Sequence, residues 1–543
     1  MEAQVVWVYD RVVDSPEVLA ERVIDALEDV VGREHVVVDA AALERVNTAT
    51  FDVEPRAVAI VRPADVDEVV AVVRVANELR LQLYPVSGGK NWGLGSRVPT
   101  RRGACILDLG RLNRIIAHDE DLSYVTVEPG VTFRQVATYL EERGSDLFLP
   151  GIGGSPDASV IGNAVEKGDG LGPLGDRPAA CTALEVVLPS GQRLETGLAA
   201  FGHAKASPLD RWGLGPDLSG LFLQSNLGVV TRASFWLARR PPVFQGVVFG
   251  VKSDDELPGA LAGMRRLQAL GVVRQHSFAL WNIYRFMAVL GRHHEGRELP
   301  KPWQGVRWVG MAGLHSASPA HAAADRAELK RALRGHVVNA SVIGDRAARF
   351  ARYASGPLSK LAGVDVEAMV VSMYFESPYL GYLSERNVDV AYWRKREPAP
   401  ANPDPDRDRC GLHWICVAVP FAATDVACVN DVVERHSAAC DLEPNTLFFN
   451  TSERYLKGLV VVAYDRDAGG EEERARRCHD GIFAELVAKG YLPNRLGVQS
   501  MEAIAPTSEA HSKLLRDLKQ QLDPNDVLAP GRYDFRHAWP RET

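Results

Sequence analysis

The sequence predicts an α+β protein with two or more domains, and three observations support this. The chain has 543 residues, more than one compact domain usually contains. Before Arg239-Arg-Pro-Pro242, strand and helix patterns are interrupted by two glycine-rich stretches. From about residue 243 to 489, a second series of strand and helix patterns follows. We therefore expect a domain boundary near residue 242.

The first elements form a strand–helix–strand unit. Residues 14–31 have the apolar spacing of a helix, and Ala57 to Val61 is a short apolar strand. A helix is predicted from Asp65 to Leu79, with Asp65 as its N-cap and Glu68 completing a capping box. The strand Leu81 to Val86 then leads directly into a glycine-rich loop.

This loop, residues 85–96, has the composition of an anion-binding site. Its glycines can adopt positive φ, so that successive backbone N–H groups converge on a phosphate. A Walker loop is excluded because Asn91, and not Ser or Thr, follows Lys90. A Rossmann fingerprint is excluded because the next element, Ala104 to Leu109, is a strand. The simpler alternative is a glycine-rich surface turn.

A second glycine-rich region, Pro150 to Pro178, follows the strand Ser123–Val127 and the helix Val131–Arg143. Long ordered loops inside a compact domain usually serve a site. Ala183 to Thr196 is then predicted as a hairpin, and Leu221 to Leu237 as a turn that leads into a buried strand.

The second half of the chain is predicted to alternate strands with helices. A tract rich in Pro, Asp and Arg, Glu397 to Arg409, is expected to be a solvated excursion. The predicted strands are Phe244–Val251, Val306–Leu314, Met369–Phe375, Leu412–Val419 and Leu459–Ala463, and the predicted helices are Glu256–Leu270, Ala322–Leu333 and Val426–Ala439.

Composition and charge exclude several classes of protein. The net charge of −8 and the pI near 6.0 give no reason to expect nucleic acid or an anionic membrane as a partner. No apolar run is long enough to cross a bilayer. The seven scattered cysteines indicate buried thiols in a reducing compartment, with neither disulfides nor a zinc site. We expect a cytoplasmic protein without a metal.

Six short motifs occur along the chain in a fixed order, and together they resemble the vanillyl-alcohol oxidase and 4-cresol dehydrogenase (p-cresol methylhydroxylase) family of flavoproteins. The resemblance implies a two-domain fold of the PCMH type, with an FAD-binding domain at 1–242 completed by 490–543. It also implies an α/β substrate (cap) domain at 243–489. The six motifs are residues 85–96, 127–132, 159–165, 184–189, 224–231 and 523–532.

The resemblance implies FAD as the cofactor. The amides of Ser87 to Asn91 suit its pyrophosphate, and the glycines from Gly153 to Gly170 would let the backbone lie against the dinucleotide. The candidate cofactor-binding residues are Val86, Ser87, Gly88, Gly89, Lys90, Asn91, Trp92, Pro129, Gly130, Gly153, Gly154, Ser159, Gly162, Asn163, Gly170, Glu185, Asn226, Gly228, Val230, His413 and Arg532.

Arg532 and His413 have specific roles in this comparison. Arg532 matches the family arginine near the flavin N1 and C2 carbonyl, where a cation favours hydride acceptance. The alternative is a surface arginine after a turn. His413, in Cys410-Gly-Leu-His-Trp414, matches a histidine that attaches FAD covalently in some members. The alternative is an ordinary strand histidine. Other members of the family attach FAD through a tyrosine that shortly precedes a tryptophan. Here Tyr392 lies one residue after the position of that tyrosine.

The substrate pocket departs from the phenol-oxidising members. Leu94 and Asn494 stand where those members have two tyrosines, whereas Arg495 matches the arginine that accompanies them. Lys457-Gly458 replaces two tandem histidines. A phenolate needs several converging donors, so a simple 4-alkylphenol is not the expected substrate. Arg495 is free to pair with a substrate carboxylate or carbonyl.

The expected function is FAD-dependent removal of a hydride from a benzylic, allylic or alcohol C–H of an organic small molecule. Arg495, Arg532 and Asn494 are the candidate catalytic residues. Glu166 and Asp169 are expected either to face the flavin or substrate or to cap loop amides. Oxygen or a cytochrome would accept the electrons, and a homo-oligomer is expected. The alternatives are oxidation of an amine or a hydroxy acid, and a flavin-binding protein that has lost catalysis.

Overall fold

The structure, a computed structural model, describes residues 16–293, 296, 299–362 and 365–534. The first two residues of the predicted helix at 14–31 lie outside these ranges. Helices and three main sheets share the chain, which confirms the α+β class. None of the described helices combines the length and the apolar character that crossing a membrane requires. The seven cysteines are free thiols, and five of them are buried.

The first sheet has four strands and carries the glycine loop at its edge. Its strand order is β1-β2-β4-β3, and β4 pairs in parallel with both β2 and β3. The tail returns here, since the amide of Leu83 donates to the carbonyl of Val527 at 2.7 Å. The strands are β1 (Val36–Val37), β2 (Ala57–Val61), β3 (Leu83–Val86) and β4 (Ala104–Asp108), and the helices beside them are α1 (Pro16–Val31), α2 (Ala40–Val46) and α3 (Val66–Leu79).

Helix α3 begins where the sequence predicts, with one difference in its cap. The Asp65 side chain accepts from the amide of Glu68 at 3.0 Å. The carboxylate of Glu68, however, accepts from the amide of Ala64 at 2.6 Å, one residue before the N-cap. The predicted reciprocal box is therefore wrong in its second bond, although the helix start is right.

The second sheet is antiparallel, with the strand order β5-β6-β10-β8-β9. Strands β8 and β9 form the predicted hairpin, with Val187 opposite Arg193. The elements of this region are β5 (Ile115–Asp119), β6 (Tyr124–Val127), α4 (Phe133–Glu141), β7 (Leu147–Phe148), α5 (Val160–Val165), β8 (Cys181–Val187), β9 (Arg193–Glu195), β10 (Val229–Trp236) and β11 (Ala238–Arg239).

The third sheet has eight antiparallel strands in the order β15-β12-β14-β13-β17-β18-β16-β19. Its strands are β12 (Val243–Val251), β13 (Phe278–Asn282), β14 (Trp308–Ser316), β15 (Val338–Ile343), β16 (Cys410–Pro420), β17 (Asn445–Asn450), β18 (Tyr455–Asp465) and β19 (Pro493–Arg495). The helices that follow β12 along the chain are α6 (Leu257–Ala269), α7 (Ile283–Leu290), α8 (Pro319–Leu333), α9 (Asp345–Tyr353), α10 (Ser355–Ala362), α11 (Val366–Val370), α12 (Ala423–Ala439), α13 (Glu471–Ala488) and α14 (Glu509–Leu522).

One face of this sheet forms the largest core of the protein, against α6, α8, α12 and α13. The alternation of side chains along β16 shows the two faces clearly. Ile415 and Val417 point into that core, whereas Trp414 and Cys416 face a large cavity on the other side. The sheet therefore separates a dry core from the cavity.

Three predictions for this half need correction. Met369 to Phe375 is helical, ending in a π-helical turn at Val371–Phe375, and is not a strand. The tract Glu397–Arg409 is only partly solvated, because Asp406 is buried and accepts from the hydroxyl of Ser96 at 2.8 Å. Strand β19, expected in the first domain, pairs with β16 at the edge of the eight-stranded sheet.

Candidate functional site

The candidate site is a single cavity of about 1930 Å³. One wall consists of the two glycine-rich segments, and the opposite wall is the open face of the eight-stranded sheet. Small-molecule pockets usually have volumes of about 300–1,000 Å³. This cavity therefore has room for a dinucleotide and a separate substrate.

The first glycine segment presents its backbone to the cavity. Among the described residues, no protein acceptor takes the amide hydrogens of Gly88 to Trp92. Gly89 adopts φ +62°, and a Cβ there would overlap the side chain of Arg97. A Cβ on Gly88 would lie 3.1 Å from the amide nitrogen of Ser159, so the two glycine segments meet at this point. Unpaired amides that converge in this way suit a phosphate.

The second glycine segment leaves open space where a cofactor would lie. A Cβ on Gly153 would meet nothing within 4 Å, and one on Gly154 only the side chain of Ile152. Both glycines line the cavity. The buried amide oxygen of Asn163, also on the cavity wall, has no hydrogen-bond partner in the described part of the chain. These features fit an FAD molecule.

Most of the predicted site residues line this one cavity. The structure places there Val86, Ser87, Gly88, Gly89, Lys90, Asn91, Trp92, Leu94, Gly153, Gly154, Ser159, Gly162, Asn163, Gly170, Asn494, Arg495 and Arg532. The predicted residues that do not line it are Pro129, Gly130, Glu185, Asn226, Gly228, Val230 and His413.

Pro129, Gly130 and Glu185 have structural contacts instead of a place on the wall. A Cβ on Gly130 would lie 2.5 Å from the carbonyl oxygen of Gly110, so this glycine permits a close approach of two loops. The Pro129 carbonyl accepts from the hydroxyl of Ser159 at 2.6 Å. Glu185 accepts from the Thr231 hydroxyl at 2.8 Å. Of these three residues, Pro129 supports a residue of the cavity wall, Ser159.

Asn226, Gly228 and Val230 are also explained by packing. Gly228 leaves room for the side chain of Val186, and Val230 is buried opposite Val186 in the ladder. The carbonyl of Asn226 accepts from the buried ammonium of Lys519 at 2.9 Å, which ties the tail to the second sheet. None of the three lines the cavity, and their assignment as cofactor contacts stays a prediction.

Arg532 is the centre of a buried ionic network on the cavity wall. It pairs with Glu166, and its Nη1 donates to the hydroxyl of Tyr84 at 2.7 Å. Arg495 lies 3.9 Å from Glu166 through Nε and donates through Nη2 to the Asn91 side chain at 2.7 Å. Two arginines share one carboxylate, so the network is expected to carry a net positive charge.

The electrostatics of this network keep its members ionised. Burial alone would raise the pKa of Glu166, but the charges of Arg532 and Arg495 outweigh it and lower that pKa. Burial would lower the pKa of Arg532, yet Glu166 raises it. Glu166 therefore pairs with a cation, and the alternative that it caps loop amides is wrong.

A second ionic cluster was not assigned from the sequence. Asp169, on the cavity wall, accepts from Lys457 at 2.6 Å and from His276 at 3.1 Å. Burial opposes the ionisation of Asp169, but His276 and Lys457 lower its pKa. Lys457 stands where the resembling family has a histidine, and this substitution was the feature of the sequence that could have indicated the cluster. No feature of the sequence indicated His276.

The three candidate substrate-pocket residues, Leu94, Asn494 and Arg495, line the same cavity. Leu94 is buried, and the side-chain oxygen of Asn494 has no hydrogen-bond partner among the residues that the structure describes. Arg495 begins a row of directly paired residues across five strands, which we call the cross-strand row. It runs through Arg495, Cys416, Leu459, Leu447 and Trp281, all on the cavity wall.

His413 does not face the cavity, which contradicts the predicted flavin attachment. Neighbouring residues of a strand point to opposite faces, and on β16 it is Trp414 that lines the cavity. The His413 ring is buried between Phe51 and His479, with centroids at 4.8 Å and 4.9 Å. Burial lowers its pKa well below the ordinary value, so the ring is neutral. His413 is a core residue.

Tyr392, by contrast, is on the cavity wall. Its hydroxyl donates to Asp408 at 2.6 Å, and its side chain is buried beside Trp393. The sequence placed this tyrosine one residue beyond the family position.

Comparison with known proteins agrees with this geometry. Residues 57–197 match the model of an FAD binding domain. The 1'-carboxy-chondrochloren decarboxylase of Chondromyces crocatus is 43% identical over 533 residues, covering 96% of this chain and 98% of that protein. The 4-cresol dehydrogenase [hydroxylating] flavoprotein subunit of Pseudomonas putida is 26% identical over 534 residues, covering 94% and 95%.

The fold also matches a solved structure along its whole length. The 4-ethylphenol oxidase from Gulosibacter chungangensis superposes with a TM-score of 0.84, at 22% identity, and the match covers 96% of this chain and 98% of that one. The two-domain α+β fold predicted from the sequence is thereby confirmed.

Proposed function

Since the chain belongs to the PCMH-type family of FAD-linked oxidoreductases and binds FAD, we propose that it oxidises an organic acid and removes its carboxylate as CO₂. The proposal starts from Arg495, a cation at the predicted reaction site. Beside it, Leu94 and Asn494 replace the tyrosine hydroxyls that a phenolate requires. A carboxylate is a matching partner for this guanidinium.

The walls around Arg495 favour an apolar substrate body. Along the cross-strand row, Cys416, Leu459 and Leu447 follow Arg495 without another charge. An anionic group at Arg495 with a hydrocarbon or aromatic body along this row would bury both parts favourably. The 43% identical relative, whose name describes a decarboxylase of a carboxylated compound, supports the same substrate class.

The proposed reaction balances in atoms and electrons. Bound FAD supplies the oxidant, because it takes up a hydride. When a hydride leaves the carbon next to the one that bears the carboxylate, the bond to the carboxylate breaks and CO₂ departs. The electron pair of that bond becomes a C=C bond. One acid therefore gives one alkene and one CO₂, and the cofactor gains two electrons.

The residues of this chain contribute binding and electrostatics. Arg495 and Asn494 would orient the acid, and the apolar wall would exclude water from it. Glu166 fixes Arg532 so that the cation keeps one position, from which it would favour the reduced cofactor. Asp169, paired with Lys457 and bonded to His276, would present a carboxylate oxygen to the cavity as a hydrogen-bond acceptor.

We also propose which residues hold the cofactor and how the chain divides. The amides of Gly88 to Trp92 would bind the pyrophosphate, and Gly153, Gly154 and Asn163 would face the dinucleotide. The FAD domain would comprise 1–242 and the tail from about 496, with β19 assigned to the cap at 243–495 because it pairs there. Oxygen or a cytochrome would reoxidise the flavin, and the protein would form a homo-oligomer.

The experiment uses purified holoenzyme without oxygen and a matched pair of probes, 3-(4-hydroxyphenyl)propanoate and its amide. The acid should bleach the flavin and release one CO₂ and one 4-hydroxystyrene for each flavin reduced. The amide should do neither, because it offers Arg495 no charge and cannot lose CO₂. Flavin reduction by the acid without CO₂ would contradict the decarboxylation, and equal reduction by both probes would contradict the role of the carboxylate.

A further inference from the structure

Arg285 is a buried arginine on the cavity wall whose charge is not neutralised by any residue within the described ranges. It lies in helix α7, four residues after Trp281, and its residue is 8% exposed. Two of its guanidinium nitrogens, Nε and Nη1, are buried without a hydrogen-bond partner among the described residues. The N-cap of the helix satisfies only the backbone of Arg285, whose amide donates to the Asn282 side chain at 2.9 Å.

The surroundings of this guanidinium are apolar. It lies 5.6 Å from the centroid of the Trp281 ring. The next residue, Phe286, packs against Trp303 with a centroid distance of 5.1 Å. No carboxylate of the described residues acts on it, and burial lowers its pKa to about 10, so that it remains a cation at neutral pH. Burying an unpaired cation is costly unless a partner of opposite charge arrives.

Arg532 shows what a neutralised arginine of this cavity looks like. That residue is slightly more exposed than Arg285, yet it pairs with Glu166 and donates to Tyr84. Arg285 is buried and has no such partner among the described residues. Its charge is therefore left for an anion bound in the cavity to balance.

The two ends of the cross-strand row separate Arg285 from the predicted reaction site. Arg495 stands at one end and Trp281, beside Arg285, at the other. Adjacent strands are about 4.8 Å apart, so four steps place the Cα atoms at the two ends about 19 Å apart. The residues between them, Cys416, Leu459 and Leu447, are uncharged.

We propose that Arg285 is a second anion-binding subsite, and that the substrate is an elongated organic acid with a second carboxylate at the end remote from the reacting carbon. One carboxylate would pair with Arg495, the apolar body would lie along the cross-strand row, and the other carboxylate would pair with Arg285. The proposal rests on the proposed function for the assignment of the reacting end at Arg495.

The test measures binding to the FAD-loaded protein by calorimetry, with two probes that differ in one carboxylate. These are biphenyl-4,4′-dicarboxylate and biphenyl-4-carboxylate. Wild-type protein should bind the diacid at least tenfold more tightly than the monoacid. Arg285→Met should abolish this preference without weakening the monoacid, and Arg285→Lys should keep part of it. Arg346→Met, an exposed arginine of helix α9, should leave the preference unchanged.

Two results would overturn the subsite. The first is equal binding of both probes by the wild-type protein, which needs no variant and applies even if Arg285→Met does not fold. The second is an unchanged preference for the diacid in a folded Arg285→Met protein that retains FAD. Neither readout depends on turnover, so failure here is distinguishable from failure of the decarboxylation.

Discussion

The two walls of the cavity are built in opposite ways. The wall formed by Gly88 to Trp92 and by Gly153 and Gly154 presents backbone and open space. The wall formed by the eight-stranded sheet presents side chains, from Arg495 to Trp281. A backbone wall can hold the same cofactor whatever the substrate, whereas each side chain of the sheet wall is free to change. We therefore expect the backbone wall to determine cofactor binding and the sheet wall to determine substrate specificity.

The largest effect is expected from a side chain on the backbone wall. Gly89→Leu puts a Cβ into the side chain of Arg97 at a φ of +62°, which a branched residue rarely adopts. We expect protein with less than about a tenth of the normal flavin content, because the strain distorts the loop. Flavin absorbance per protein measures this.

The control is Gly220→Ala. A Cβ on Gly220 would meet nothing within 4 Å, and its φ is not positive. This variant should keep its flavin. Full flavin occupancy in folded Gly89→Leu would show that the loop does not hold the cofactor.

The second effect tests the sheet wall alone. Arg495→Met should lower the rate of anaerobic flavin reduction by the carboxylated substrate about 10²–10³-fold, the usual loss when one charge-stabilising donor is removed. Flavin content should stay normal, because the backbone wall is unchanged. A variant that lost its flavin together with its activity would break the separation of the two walls.

The third effect concerns the network that joins both walls. Glu166→Gln leaves Arg532 buried without its anion, so the free energy of unfolding at pH 7 should fall by about 3 kcal/mol. The folded-state pKa of Glu166 is lowered, so its contribution is present above the unfolded value near 4.3 and is lost as the pH falls through the folded pKa. Between pH 7 and pH 3, the free energy of unfolding should therefore decrease less for Glu166→Gln than for wild type, as measured by unfolding curves at each pH. Parallel pH profiles would contradict this account.

The smallest effect on flavin binding is expected from a substitution on the face of the sheet that points away from the cavity. His413→Ala removes a ring packed against Phe51 and His479 and should cost about 2 kcal/mol of stability. Acid precipitation should give the same division of flavin between pellet and supernatant as for wild type. Release of flavin by this variant alone would restore His413 as an attachment site.

The sequence predicted the backbone wall better than the sheet wall, for a physical reason. The demands that a phosphate makes on a loop are local, so Gly88, Gly89 and Asn91 are recognisable without the fold. Motif position alone does not say which residues touch the cofactor, and Gly130 and Gly228 proved to serve packing.

The sheet wall depends on pairings between distant strands. The alignment of Arg495 with Cys416 joins residues that are far apart in the chain, and the face of β16 decides that Trp414 and not His413 reaches the cavity. A shift of one residue reverses every side chain of a strand. Arg285 and His276 therefore had no local signature, although the structure brings both to the site.

The most direct test of the central claim compares two substrates on the wild-type protein. The rate of anaerobic flavin reduction is measured with 3-(4-hydroxyphenyl)propanoate and with 4-cresol. A phenolate beside Leu94 and Asn494 would be buried with one cation and no hydroxyl donors, so 4-cresol should reduce the flavin at least about 100-fold more slowly than the acid. Reduction by 4-cresol on the order of 10 per second, a typical enzymatic turnover, would contradict the account.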